Sequence, residues 1–127
     1  MSQYNPPELI LGFNDVAALR SIIRAYLTYG RRTVPPSQER EIQYHLLERL
    51  YLRLAGMHPA ESEIYLTLTL SEIRALNSAL VGFAGFVRQK VSPSREREET
   101  LRDVERLREK LSRLLPDQGR DESRPYE

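Results

Sequence analysis

The chain of 127 residues contains no cysteine. Disulfides, thiolate metal sites and cysteine nucleophiles are therefore excluded. It has two histidines, His45 and His58, too few for a histidine-rich metal site. No apolar run approaches the roughly 20 residues needed to cross a bilayer, so no membrane contact is expected. The opening MSQYNPPE has neither a basic start nor a hydrophobic stretch, so a secretory signal is not expected and the default location is cytoplasmic. Nor is there a phosphate-binding glycine loop, because Gly82-Phe83-Ala84-Gly85 falls inside a helical pattern. Lysine is scarce, with two residues against seventeen arginines.

The composition fits a single domain with a compact core. Hydrophobic residues make up 40% and charged residues 29%, a balance that excludes wholesale disorder. Formal net charge is +1. The last twelve residues hold four acids and two arginines, so residues 1–115 carry +3. Spread among interleaved acids, this is a weak electrostatic footprint for nucleic acid. Segment 116–127 contains Pro116, Gly119 and Pro125, alternates in charge and has no apolar residue before Tyr126. It is expected to be a disordered tail.

Sliding the chain against itself by 57 residues lays 9–54 over 66–111 without a gap, and sixteen of the 46 pairs are identical. The densest block sets Val34–Glu41 over Val91–Glu98. Tyr26/Phe83, Tyr29/Phe86 and Asp15/Glu72 keep size or charge. A self-match of this length is a repeat signal. Two copies are too few for a solenoid, so a pseudo-twofold pair within one domain is expected.

Each copy reads as strand, helix, loop, helix. Ile64-Tyr65-Leu66-Thr67-Leu68 alternates as a half-buried strand does, and Leu9-Ile10-Leu11 is its shorter counterpart. Thr69 and Glu72 have the spacing of a capping box, with Gly12 and Asp15 in the matching places. The first helix is expected to run to about Arg32 or Gln89, before a proline-containing loop. Ser37 and Ser94 are natural N-caps for the last helix, and Glu39 and Glu96 suit the positive end of its dipole.

Apolar stripes mark the buried faces. Ile42, Leu46, Leu47, Leu50 and Leu54 form one, and Leu101, Val104, Leu107, Leu111 and Leu114 the other. Ala18, Ser21, Ala25 and Thr28 align with Ala75, Ser78, Gly82 and Gly85. Their spacing predicts that the first helices of the two copies cross small face to small face; a homodimer contact is the alternative. Tyr26, Tyr29, Phe83 and Phe86 have core-like spacing.

Three patterns carry candidate chemistry. Arg40-Glu41-Ile42-Gln43-Tyr44-His45 separates arginine from histidine by four residues. It resembles the ribonuclease motif of HEPN-family helical bundles, which implies histidine as a proton-transfer group on an RNA phosphodiester. The second copy has Arg102 at the histidine position. The strand–helix–helix order resembles ribbon-helix-helix DNA-binding proteins, in which paired strands read the major groove. The outward strand positions here are Ile10, Gly12, Tyr65, Thr67 and Thr69, with no arginine, lysine or asparagine for base edges. Finally, His58, Glu61 and Glu63 lie together in a linker, a pattern more common in polar linkers than in metal sites.

The expected fold is α+β, predominantly α: a duplicated strand–helix–helix unit (9–54 and 66–111) with pseudo-twofold symmetry, four main helices and a small two-stranded sheet, forming one domain over 1–115. The expected function is a non-enzymatic protein–protein interaction or assembly module. Ribbon-helix-helix-like DNA regulation comes second and a HEPN-like RNase third. No catalytic, cofactor-binding or metal residue is assigned. A protein partner or self-association into a homo-oligomer is expected, with nucleic acid less favoured.

Overall fold

The computed structural model describes residues 7–57 and 63–115. The expected tail at 116–127, and His58 and Glu61 of the linker, lie outside the described residues. The element order is β1 (Glu8–Leu11), α1 (Phe13–Thr33), α2 (Gln38–Ala55), β2 (Ile64–Thr67), α3 (Leu70–Lys90) and α4 (Arg95–Ser112). The fold is predominantly α, with four helices and a two-stranded antiparallel sheet. α1 and α3 each have 21 residues, α2 and α4 each have 18, and each pair starts 57 positions apart.

The caps follow the sequence pattern. Thr69 accepts from the Glu72 amide at 3.1 Å while the Glu72 carboxylate takes the Thr69 amide at 2.8 Å. Gly12 has no side chain to offer, so only the return bond forms, from the Gly12 amide to Asp15 at 3.1 Å. Ser37 and Ser94 each accept from the amide three residues on. α1 and α3 run one residue past the expected ends, to Thr33 and Lys90.

The sheet pairs Leu9 with Leu66, Ile10 with Tyr65 and Leu11 with Ile64. Leu9 and Leu66 are also equivalent under the 57-residue offset, so exchanging the two segments leaves the register unchanged. The Leu68 amide donates to the Pro7 carbonyl, continuing the ladder. At the far end of the helices Tyr29 meets Phe86, ring centroids 4.4 Å apart, and these too are offset equivalents. The sheet's inner face (Leu9, Leu11, Leu66) joins Leu19, Ile23, Leu47, Leu50, Leu76, Leu80 and Leu107 in one buried cluster drawn from all six elements. A two-stranded ribbon is marginal alone; here its apolar face is covered by helices.

Two packing expectations need correction. Ile42 is 58% exposed, and Tyr44 is buried instead. Counting back from Leu54, Leu50 and Leu47 in steps of three or four reaches Tyr44, whereas Ile42 lies about 140° around the helix from Leu47. The small-residue faces also do not meet as a pair. Gly82 receives the Tyr26 ring, so that a Cβ there would run into Tyr26 Cε1. Ser21 and Thr28 are exposed, and a Cβ at Gly85 would meet nothing within 4 Å. α1 and α3 thus approach by large side chain over small at Gly82; Ala18 and Ala75 pack into the core, while Ser21 and Thr28 face outward.

Candidate functional site

The outer face of the ribbon tests the resemblance to ribbon-type DNA readers. It presents Glu8, Ile10, Tyr65 and Thr67, and Ile10 and Tyr65 are directly opposed and about half exposed. Phe13, at the start of α1, is 62% exposed. The surface carries an acid, an apolar side chain and two hydroxyls, with no arginine, lysine or asparagine for base edges.

The free edges of the ribbon are guarded. In an antiparallel ladder the residues between hydrogen-bonded pairs turn their polar groups outward. Ile10 is one, and its carbonyl accepts from Lys110 Nζ at 3.0 Å; Thr67 is another, and its carbonyl accepts from Arg53 at 2.8 Å. Lys110 and Arg53 are offset equivalents, each reaching from the last helix of one segment to the strand end of the other. The same two cations touch the N-terminal acids of α1 and α3. Lys110 Nζ lies 3.0 Å from Asp15, and Arg53 lies 3.6 Å from Glu72. Arg106 adds a 2.6 Å bond to Asp15. Burial alone raises the Asp15 pKa, but the Gly12 amide, Arg106 and Lys110 outweigh it and hold the carboxyl below its ordinary value. Basic side chains on strand edges oppose edge-to-edge pairing, so the ribbon edge is a poor seam for self-assembly.

Arg40 and His45 are not brought together. Five positions along α2, they lie about 140° apart around its axis. Arg40 donates to the Pro35 carbonyl at 3.2 Å and lines a polar cleft of about 320 Å³ with Tyr26, Ser37, Glu39, Gln43 and Ser78. The His45 side chain is 70% exposed, with Nδ1 3.6 Å from Glu48. Among the described residues no cluster of three or more histidine, aspartate or glutamate side chains is placed to hold a metal.

A furrow runs over α1. A hollow of about 570 Å³ lies against α2, lined by Arg24, Leu27, Thr28, Glu48, Tyr51 and Leu52. A second, of about 440 Å³, extends to α3 through Ser21, Ala25, Tyr29, Arg32 and Phe86. A third, of about 220 Å³, continues toward Ala17 and Arg20. All three share Arg24. Arg20, Arg24 and Arg32 have no carboxylate within ion-pair distance among the described residues. The one acid on the wall, Glu48, is held by Arg31 at 2.8 Å. The Arg20 guanidinium lies 5.7 Å from the Tyr51 ring centre. Arg20, and after it Arg24, hold the Tyr51 hydroxyl below its ordinary pKa.

Sequence reasoning places Ser21, Ala25 and Thr28 in an internal contact and so misses this surface. The signal for it lies in the offset. Arg20, Arg24 and Arg32 stand opposite Asn77, Val81 and Gln89, so these three charges have no counterpart in α3, which carries Arg74 and Lys90 at other positions. On the other segment, α2 closes the corresponding place: Gln43 accepts from the Tyr26 hydroxyl at 3.4 Å and donates to Ser78, the equivalent of Ser21, at 3.3 Å.

No described helix is long and apolar enough to cross a membrane. No family model, curated protein or solved structure matches the chain.

Proposed function

We propose that this protein is a non-enzymatic protein-interaction module, built from two copies of one strand–helix–helix unit. The observation that carries the reading is the open furrow over α1. Its walls are apolar and aromatic at Leu27, Tyr51, Leu52 and Phe86, and its rim is cationic. Binding surfaces combine apolar area with a few oriented polar groups. Arginine and tyrosine are the residue types that most often dominate interface energetics.

The test is site-specific photocrosslinking in cells. A benzoylphenylalanine at Thr28, on the furrow floor, is expected to capture a polypeptide that the same group at Arg102, on the outer side of α4, does not. Equal capture at both positions, or nucleic acid alone at Thr28, overturns the reading.

A second reading, sequence-specific binding of duplex DNA, is favoured by the antiparallel pairing of two strand–helix–helix units. Its test is a salt titration against pooled random duplexes. Each phosphate contact adds about 0.9 to the slope of log affinity against log salt, so a ribbon reader shows a slope of several units and a preferred sequence.

A further inference from the structure

The furrow has a chemistry that narrows its occupant; this step rests on the interaction reading above. Three arginines without carboxylate partners among the described residues stand along one helix, at positions 20, 24 and 32. With a rise of about 1.5 Å per residue they span roughly 18 Å of α1. Between and beside them the surface is apolar. A cationic rim on an apolar trough complements a ligand that is acidic along its margins and apolar along its centre.

The backbone decides the ligand's conformation. The floor of the furrow is α1, whose amides and carbonyls are used within the helix. An extended peptide laid there finds no ladder partner for its own polar groups, whereas a helix satisfies them internally. The aromatic groups also speak against single-stranded nucleic acid, which needs free ring faces for base stacking. Tyr29 and Phe86 pack against each other at a tilt of 49°, and Arg20 lies over Tyr51. A second copy seated face to face is opposed by charge, because a twofold contact sets each patch against itself and brings the two sets of arginines together.

We propose that the furrow over α1 receives an acidic amphipathic helix of a partner polypeptide, its carboxylates meeting Arg20, Arg24 and Arg32 and its apolar stripe meeting Leu27, Ala25 and Leu52. Arg20 is partly buried against Tyr51, which fixes one end of the rim. Arg24 and Arg32 are exposed and free to reorient onto the incoming acids.

The experiment uses the full chain and a display library of random peptides of about 18 residues, long enough for a helix to cover the furrow. The enriched peptides are expected to be acidic, with apolar residues three and four apart. Their affinity, read by fluorescence anisotropy, should fall as salt rises. The double variant Arg24→Glu and Arg32→Glu replaces exposed residues only, and circular dichroism checks that its fold is kept. It is expected to weaken the acidic peptides about tenfold, the scale of a few exposed ion pairs removed or reversed. The same variant should turn the selection toward basic peptides.

Enrichment of neutral or basic peptides by the wild-type chain, or equal affinity for the double variant, overturns the acidic-helix proposal while leaving a peptide-binding module in place. No enrichment, together with a blank Thr28 crosslink, overturns both. Displacement of the peptides by oligouridine at the same salt, or a dimer seen by light scattering that Arg24→Glu dissociates, overturns the proposal in favour of RNA or of a second copy.

Discussion

Asp15→Asn separates the electrostatic lock between the two segments from the packing around it. Asp15 is 7% exposed at the start of α1 and accepts from Arg106 at 2.6 Å, Lys110 at 3.0 Å and the Gly12 amide at 3.1 Å. Asparagine keeps the shape and an oxygen for the Gly12 amide, so the cap survives while the charge is lost. A hydrogen bond to a charged group contributes about 1.5–3 kcal/mol when well sheltered. Here the shelter is partial, because the Arg106 side chain is 47% exposed and that of Lys110 is 30% exposed, and both cations regain water once released. Two such bonds, discounted for solvent screening, give an expected loss of about 2 kcal/mol at pH 7.

The pH dependence supplies the sharper test. The Asp15 pKa in the folded chain lies below the ordinary aspartate value. The unfolded chain therefore takes up its proton first as pH falls, and the contribution of Asp15 is complete above the unfolded value and lost as pH drops through the folded one. Urea unfolding followed by far-ultraviolet circular dichroism, at pH 7 and again at successive steps below about pH 4, measures both. The curves for the wild type and for Asp15→Asn should be separated at neutral pH and converge in acid. Equal stability at pH 7, or a gap that persists unchanged at low pH, refutes the argument. Glu72→Gln is the internal comparison. Its single cation lies 3.6 Å away and glutamine retains the bond from the Thr69 amide, so the loss should be smaller than for Asp15.

Gly82→Leu should destabilise by about 1–3 kcal/mol, because even its Cβ meets the Tyr26 ring, and an unchanged melting temperature counts against that contact. Gly85→Ala should do the opposite, raising stability by about 0.5–1 kcal/mol in the same urea assay, since the new methyl meets nothing and alanine is the better helix former. A Cβ at Gly30 would lie 2.7 Å from the Tyr44 hydroxyl oxygen and 3.4 Å from the next ring atom. Gly30→Ala should therefore destabilise the wild type yet be tolerated beside Tyr44→Phe, a coupling that a double-mutant cycle in urea reads directly.

Most of the frame was legible because the 57-residue self-match lets each element be read against a second stretch of sequence. A cap, a strand or a proline loop that is ambiguous in one copy is fixed by its counterpart, as with Leu9–Leu11, too short to read with assurance until Ile64–Leu68 is laid over it. What the apolar pattern alone leaves open is which of two apolar residues a helix turns inward, until the spacing is counted from the far end. Ile42 and Tyr44 are both plausible core residues, and only the three-and-four spacing back from Leu54 favours Tyr44. The furrow was illegible for a different reason. Small residues on a helix face look the same whether a neighbouring helix covers them or solvent does, and the choice depends on how far α2 and α4 each reach across the other segment's first helix.

That reach is unequal, and the inequality places the candidate surface. The locks at the ribbon are matched, Arg53 on Thr67 and Glu72 at one side, Lys110 on Ile10 and Asp15 at the other. Internal packing shows exchanges of volume between the segments. Gly30 and Tyr44 in one stand where the other has Val87 and Leu101, so a small residue gains bulk as a large one loses it. Such substitutions leave the frame intact and carry no outward message. The substitutions on the exposed side of α1 are of another kind. Arg20, Arg24 and Arg32 against Asn77, Val81 and Gln89 change charge without a compensating acid among the described residues. Beside them α1 leaves Ser21 exposed, whereas α2 binds Ser78 through Gln43. Arg20 lies over Tyr51, while Arg24 and Arg32 are exposed and form no ion pair among the described residues. On the reading proposed above, such a surface over an open trough attracts an acidic partner by charge complementarity.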